Sequence, residues 1–71
     1  MEIQSFGELV EKLRKDKDMT IYELADVSGL STVEISNIEN NKHRPRPSTL
    51  HKLSEALEYD YMDLYNASQN Y

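Results

Sequence analysis

The chain has no cysteine and no tryptophan, and only two glycines and two prolines among its 71 residues. Without cysteine there are no disulfide staples and no thiolate zinc site, so helix caps and apolar packing must hold the fold, an arrangement suited to a reducing cytoplasm. Two isolated glycines cannot form a glycine-rich phosphate loop. No apolar run approaches the roughly 18 residues of a membrane span, and no signal-peptide pattern is expected ahead of the first amphipathic segment. Strand-type alternation and internal repeats are also lacking. What remains is one small domain. A chain of this length buries only about 60% of its unfolded surface, so its stability rests on few side chains.

The net charge is −5, but its distribution is uneven. Residues 19–41 contain Glu23, Asp26, Glu34 and Glu39 and no base, and residues 53–71 contain four acids and no base. Between them, residues 42–52 carry no acid and hold Lys42, Arg44, Arg46 and Lys52, with His43 and His51. Half of the lysines and arginines therefore fall in one short stretch, a pattern that fits either a solvated loop or an anion contact.

Apolar spacing predicts five helices. Phe6, Leu9, Val10 and Leu13 form a first stripe that starts behind the Ser5–Glu8 capping pair and ends near Lys17. Thr20 with Glu23 and Ser31 with Glu34 are two further capping boxes, and Met19–Leu24 and Leu30–Ile35 are the matching hydrophobic staples. Gly29 stands between them, where a helix must end in a left-handed residue. Residues 20–39 thus read as two short helices joined at one glycine, the helix-turn-helix that places its second helix in the DNA major groove. Pro45 and Pro47 stiffen the next loop. Ser48 is expected to cap a fourth helix that buries Leu50, Leu53, Ala56 and Leu57, and Asp60 a fifth with Tyr61, Leu64 and Tyr65 on one side. The domain is expected to span residues 1–66, followed by a polar tail at 67–71.

The segments FGELVEKLR, MTIYELADVSGLS and ISNIENNK, followed by the run from Pro47 to Leu57, resemble in this order the phage-repressor/Cro class of the bacterial Xre-type family. The resemblance implies an all-α, compact five-helix, lambda-repressor-like domain that binds operator DNA, commonly as a dimer on a palindrome. It places the recognition helix at residues 31–39, with Ser31, Thr32, Val33, Ser36 and Asn37 facing the groove. Their chemistry suits base edges: Asn37 can pair bidentately with adenine, Thr32 and Ser36 can donate or accept, and Val33 can meet a thymine methyl. Phosphate contacts are expected from Thr20, Lys42, His43, Arg44 and Arg46, and from backbone N–H groups near Ser48 and Thr49. The resemblance also implies a partly buried ion pair between Arg14 and Glu39. Where the family typically has a glutamine after the first cap, this chain has Ile21, and Asp18 and Asn41 occupy turn positions often held by glycine.

Tyr59, Tyr61, Met62 and Tyr65 give the C-terminal end more aromatic surface than a short helix needs, and are candidates for a dimer contact. Enzymatic chemistry finds no constellation: His51 and Glu55 are two ligands at most, and Asp16 and Asp18 lack the rest of a calcium loop. No cofactor, metal, small-molecule ligand or membrane is expected as a partner. Two readings remain open. The first is a sequence-specific regulator of transcription, a repressor on double-stranded DNA. The alternative is a protein-interaction module of the same fold, antirepressor-like or antitoxin-like, which net acidity, Ile21 and Glu34 would favour.

Overall fold

A computed structural model describes residues 5–69. The described chain is entirely helical in its regular structure: α1 Phe6–Asp16, α2 Ile21–Ser28, α3 Thr32–Glu39, α4 Pro47–Leu57 and α5 Tyr61–Gln69. α1 packs on α3, α2 on both α3 and α4, and α4 on α5. The core is one cluster to which every helix contributes, built from Phe6, Val10, Leu24, Leu30, Ile35, Ile38, Leu50, Leu53, Leu57 and Leu64. Leu9, Leu13, Met19 and Ile21 close its rim. Among the described residues no helix is long and apolar enough to cross a membrane.

The local signals at the starts of α2 and α3 are realised in full. Thr20 Oγ1 accepts from Glu23 N at 3.1 Å while Glu23 Oε1 accepts from Thr20 N at 2.8 Å. Ser31 and Glu34 repeat the exchange at 3.0 Å in both directions. Gly29 ends α2 at φ 77°, and its N–H donates to Ala25 O. Asp18 and Asn41 also adopt positive φ, 56° and 58°, a conformation that aspartate and asparagine tolerate better than most residues. Glu58 does the same at φ 54° as the C-cap of α4, and no turn residue marks that site. The backbone is satisfied there because Glu58 N and Tyr59 N close onto Glu55 and Ser54 carbonyls. Lys17 also pairs with Glu58 and lowers its carboxyl pKa. That small stabilisation is present above the ordinary glutamate range and is lost as pH falls through the lowered value.

Two boundaries differ from the sequence reading. α4 begins at Pro47 with Arg46 as N-cap and no side-chain cap bond. Proline at the first helical position is already set at helical φ, which moves Ser48 inside the helix and removes its capping role. α5 runs through Gln69, so residues 67–69 are helix and not tail. Its inner face holds Leu64, Ala67 and Ser68, while Tyr65 turns outward. The buried Ser68 hydroxyl is satisfied by donating to Tyr65 O, which is how a polar residue serves at a core position. Residues 70 and 71 of the expected tail lie outside the described residues.

α1 approaches the end of α3 too closely at residue 7 for any side chain but glycine's. A Cβ there would lie 2.3 Å from Glu39 O and 2.7 Å from Ile38 O, both backbone atoms that cannot swing aside. Gly7 N also donates to Asn41 Oδ1 at 3.0 Å, and Asn41 Nδ2 donates to Ser5 Oγ. The start of α1 is thereby fastened to the end of α3. Gly7→Ala should lower stability by about 2 kcal/mol through overpacking, although alanine is the better helix former in isolation. A fall of roughly ten degrees in Tm is expected from a domain this small.

Candidate nucleic-acid interface

α3 divides into two faces. Ile35 and Ile38 are buried at 0% and 4% exposure, so they fix the inner side. Val33, by contrast, is 66% exposed, Ser31 and Glu34 are open to solvent, and Thr32, Ser36 and Asn37 are half-buried on the outer side. Thr32, Val33, Ser36 and Asn37 line a shallow groove whose other wall is Ile21 and Tyr22 of α2. Ser31, the N-cap of α3, does not line the groove, and its hydroxyl accepts from Glu34 N. Asn40 closes the far end of the helix by donating through Nδ2 to Ser36 O at 2.9 Å.

A second concavity lies on the other side of α3. Glu34 and Ile38 form one wall, and His43, Arg44, Arg46, Ser48, Thr49 and Lys52 the other. The sequence reading placed Lys52 in the basic stretch but not among the contacts; its position one helical turn after Ser48 was the available signal. The N–H groups of Ser48 and Thr49 have no partner among the described residues, because they belong to the first turn of a helix that lacks a side-chain cap. Such groups, at the positive end of the helix dipole, suit an anion. Thr20 lies apart from both concavities, at the exposed start of α2.

The ion pairs sort the cations into two sets. Lys12, Arg14, Lys15 and Lys17 are all paired, with Asp16, Glu39, Glu11 and Glu58 respectively. Lys42, Arg46 and Lys52 are in no ion pair among the described residues. Among the described residues, positive charge is thus paired on and just after α1, and in no ion pair at Lys42, which lines neither concavity, and at Arg46 and Lys52 in the second concavity. Glu34 is the one acid in this concavity, and its carboxylate is drawn back onto Ser31 N by the capping box.

The Arg14–Glu39 pair sets how α3 is held. Arg14 Nε and Nη2 donate to the two Glu39 oxygens at 2.8 and 3.1 Å, and Nη1 donates to Met19 O at 2.8 Å. Both side chains are below 10% exposed. The hydrogen bond to Glu39 raises the Arg14 pKa, outweighing the opposite effect of burial, so the guanidinium stays charged at every pH of interest.

In the C-terminal aromatic group, Tyr61 stacks on His51 with ring centroids 4.0 Å apart, and Tyr59 packs against the core. Met62 and Tyr65 remain 56% and 37% exposed.

The helix-turn-helix family pattern matches residues 10–64, which is most of the chain. The chain belongs to the Xre-type helix-turn-helix family. Among members of this family, the transcriptional repressor RghR of Bacillus subtilis is 44% identical over 63 residues, covering 87% of this chain and 47% of RghR. RghRB, a second helix-turn-helix regulator of the same organism, is 39% identical over 64 residues, 89% of this chain and 46% of its own length. The chain thus spans slightly less than half of either relative. Among solved structures, the biofilm regulator SinR in complex with DNA superposes with a TM-score of 0.79 at 30% identity, over 84% of this chain and 97% of that one. The DNA-binding domain of the P22 C2 repressor superposes at 0.81, also at 30% identity, over 100% and 96%.

Ser31→Ala should cost about 1 kcal/mol in chemical denaturation through the lost cap, whereas Ser48→Ala should change stability by only a few tenths. Glu39→Gln leaves a buried guanidinium without its counter-charge, and should cost about 3–5 kcal/mol, a large part of the roughly 4–10 kcal/mol available to a 71-residue domain.

Proposed function

We propose that the chain is a sequence-specific double-stranded DNA-binding domain of a transcriptional regulator, a repressor that reads a palindromic operator through the major groove as a homodimer. One observation carries this reading. The outer face of α3 is polar with Val33 exposed among it, and across Glu34 the second concavity brings together Arg46 and Lys52, which are in no ion pair among the described residues, with the open N–H groups at the start of α4. A helix face that enters the groove needs phosphate contacts on its flank to fix its register. Lys42, His43, Arg44, Arg46, Ser48 and Thr49 supply them from the loop and the start of α4, and Thr20 supplies one from the start of α2. Ser31, Thr32, Val33, Ser36 and Asn37 then meet base edges.

The net acidity does not oppose this arrangement. The acids beside the N-terminal cations are consumed in ion pairs, and screening at about 8 Å in physiological salt confines charge effects to near neighbours. Met62 and Tyr65 are the exposed apolar side chains on α5, and they supply the dimer contact, while Tyr59 and Tyr61 serve chiefly to cover the core. A regulator of this kind works in the cytoplasm and is nucleoid-associated when bound.

The test is operator selection from a random duplex pool followed by affinity measurement at several salt concentrations. With Lys42, Arg44, Arg46 and Lys52 from each of two protomers displacing counterions, log K should fall with log salt at a slope of about −7. Arg46→Ala should weaken all sequences alike and reduce that slope by about 1 per protomer, whereas Asn37→Ala should leave the slope and blur preference at one base pair. A flat and weak response in the unaltered protein would instead favour the protein-interaction module.

A further inference from the structure

Among the described residues, Tyr22 is the most exposed of the large hydrophobic side chains, at 77%. It is the second residue of α2, a helix whose inner stripe runs through Ile21, Leu24, Ala25 and Ser28. At roughly 100° per residue this turns Tyr22 to one flank and Val27 to the other. Tyr22's flank is the one that lines the groove along the outer face of α3, beside Val33 and Asn37, and Val27 does not reach it. Its hydroxyl has no hydrogen-bond partner among the described residues, and its ring has no stacking neighbour there. Within α2 it is the only unpartnered side-chain donor, since the Ser28 hydroxyl donates to Ala25 O. Ile21, the other α2 residue in the groove, has no donor at all.

When the second helix of a helix-turn-helix enters the major groove, the first crosses the sugar–phosphate backbone. A long side chain on the α3 flank of α2 then stands where the backbone passes. Tyrosine suits that position, because its ring can cover sugar and apolar edges while its O–H reaches a polar partner. We propose that Tyr22 is a DNA-backbone contact, its hydroxyl donating to a phosphate oxygen at the edge of the half-site and its ring closing the groove beside Val33. This rests on the DNA-binding reading and adds to it a neutral contact. A neutral donor displaces no condensed cation, so it contributes affinity that salt does not remove.

The experiment compares wild type, Tyr22→Phe and Tyr22→Ala on the selected duplex across a salt series, with Tm measured for each protein. Because the side chain is exposed, Tm should not move. A hydrogen bond to a charged group implies that Tyr22→Phe loses about tenfold per protomer, about a hundredfold for the dimer, at every salt concentration with an unchanged slope, and that Tyr22→Ala binds more weakly still. Replacing phosphates one at a time by neutral methylphosphonate should then reveal a position that weakens wild type by about tenfold more than it weakens Tyr22→Phe. If wild type binds and Tyr22→Phe matches it, the assignment of Tyr22 falls while the DNA reading stands. Every methylphosphonate position weakening both proteins alike would also overturn it, since the hydroxyl would then meet something other than phosphate. A wild-type protein with no preference for any duplex would defeat the DNA reading itself.

Discussion

The junction between α1 and the end of α3 determines what the rest of the molecule presents. Glu39 is held there twice: its carbonyl lies where any side chain on residue 7 would be, and its carboxylate is gripped by a buried guanidinium. Asn41 adds a third fastening through Gly7 N and Ser5 Oγ. α3 is only eight residues long, well short of the length at which a helix is stable alone in water. Its existence and its orientation therefore come from its ends, with a capping box at one and this clamp at the other. The face that remains outward is the polar one because Ile35 and Ile38 have no other place in the core.

The charge pattern follows from the same frame. The clamp uses one cation and one acid, and helix-local pairs use most of the remaining N-terminal cations. Lys42, Arg46 and Lys52 are in no ion pair among the described residues, and residues 42–52 contain no acid of their own. Pro47 starts α4 without a side-chain cap, which leaves its first N–H groups open on the side where those cations gather. Domain-wide acidity and a locally cationic border to α3 are thus compatible, because one is a sum and the other a placement.

How much of this was legible in the sequence depends on whether the cause was local. α2, α3 and the turn at Gly29 were readable because capping boxes and a left-handed glycine act within a few residues. Asp60 as the cap of α5 is of the same kind, and it accepts from Asp63 N. The start of α4 was misplaced because Ser48 carries a capping side chain but Pro47 fixes the backbone first. The end of α5 was missed because Ser68 looks like tail until a self-satisfied hydroxyl lets it pack. Gly7 carried no signal on its own, since its role is set by a carbonyl 32 positions away in sequence. The Arg14–Glu39 pair was available only through resemblance to a family, as spacing says nothing about two charges on different helices. Tyr22 carries no signal in the sequence for a related reason: the flank it occupies acquires meaning only from the way α2 packs on α3.

In the proposed function, the outer side of α3 and the neighbouring cationic stretch together form one duplex-binding surface. Backbone amide chemical shifts recorded while selected duplex is added to the folded protein test it most directly. The largest changes should fall within residues 20–22, 31–37 and 42–52, and the paired cations at 12–17 should be barely perturbed. Changes centred on residues 12–17, or on α5 alone with α3 silent, would contradict it.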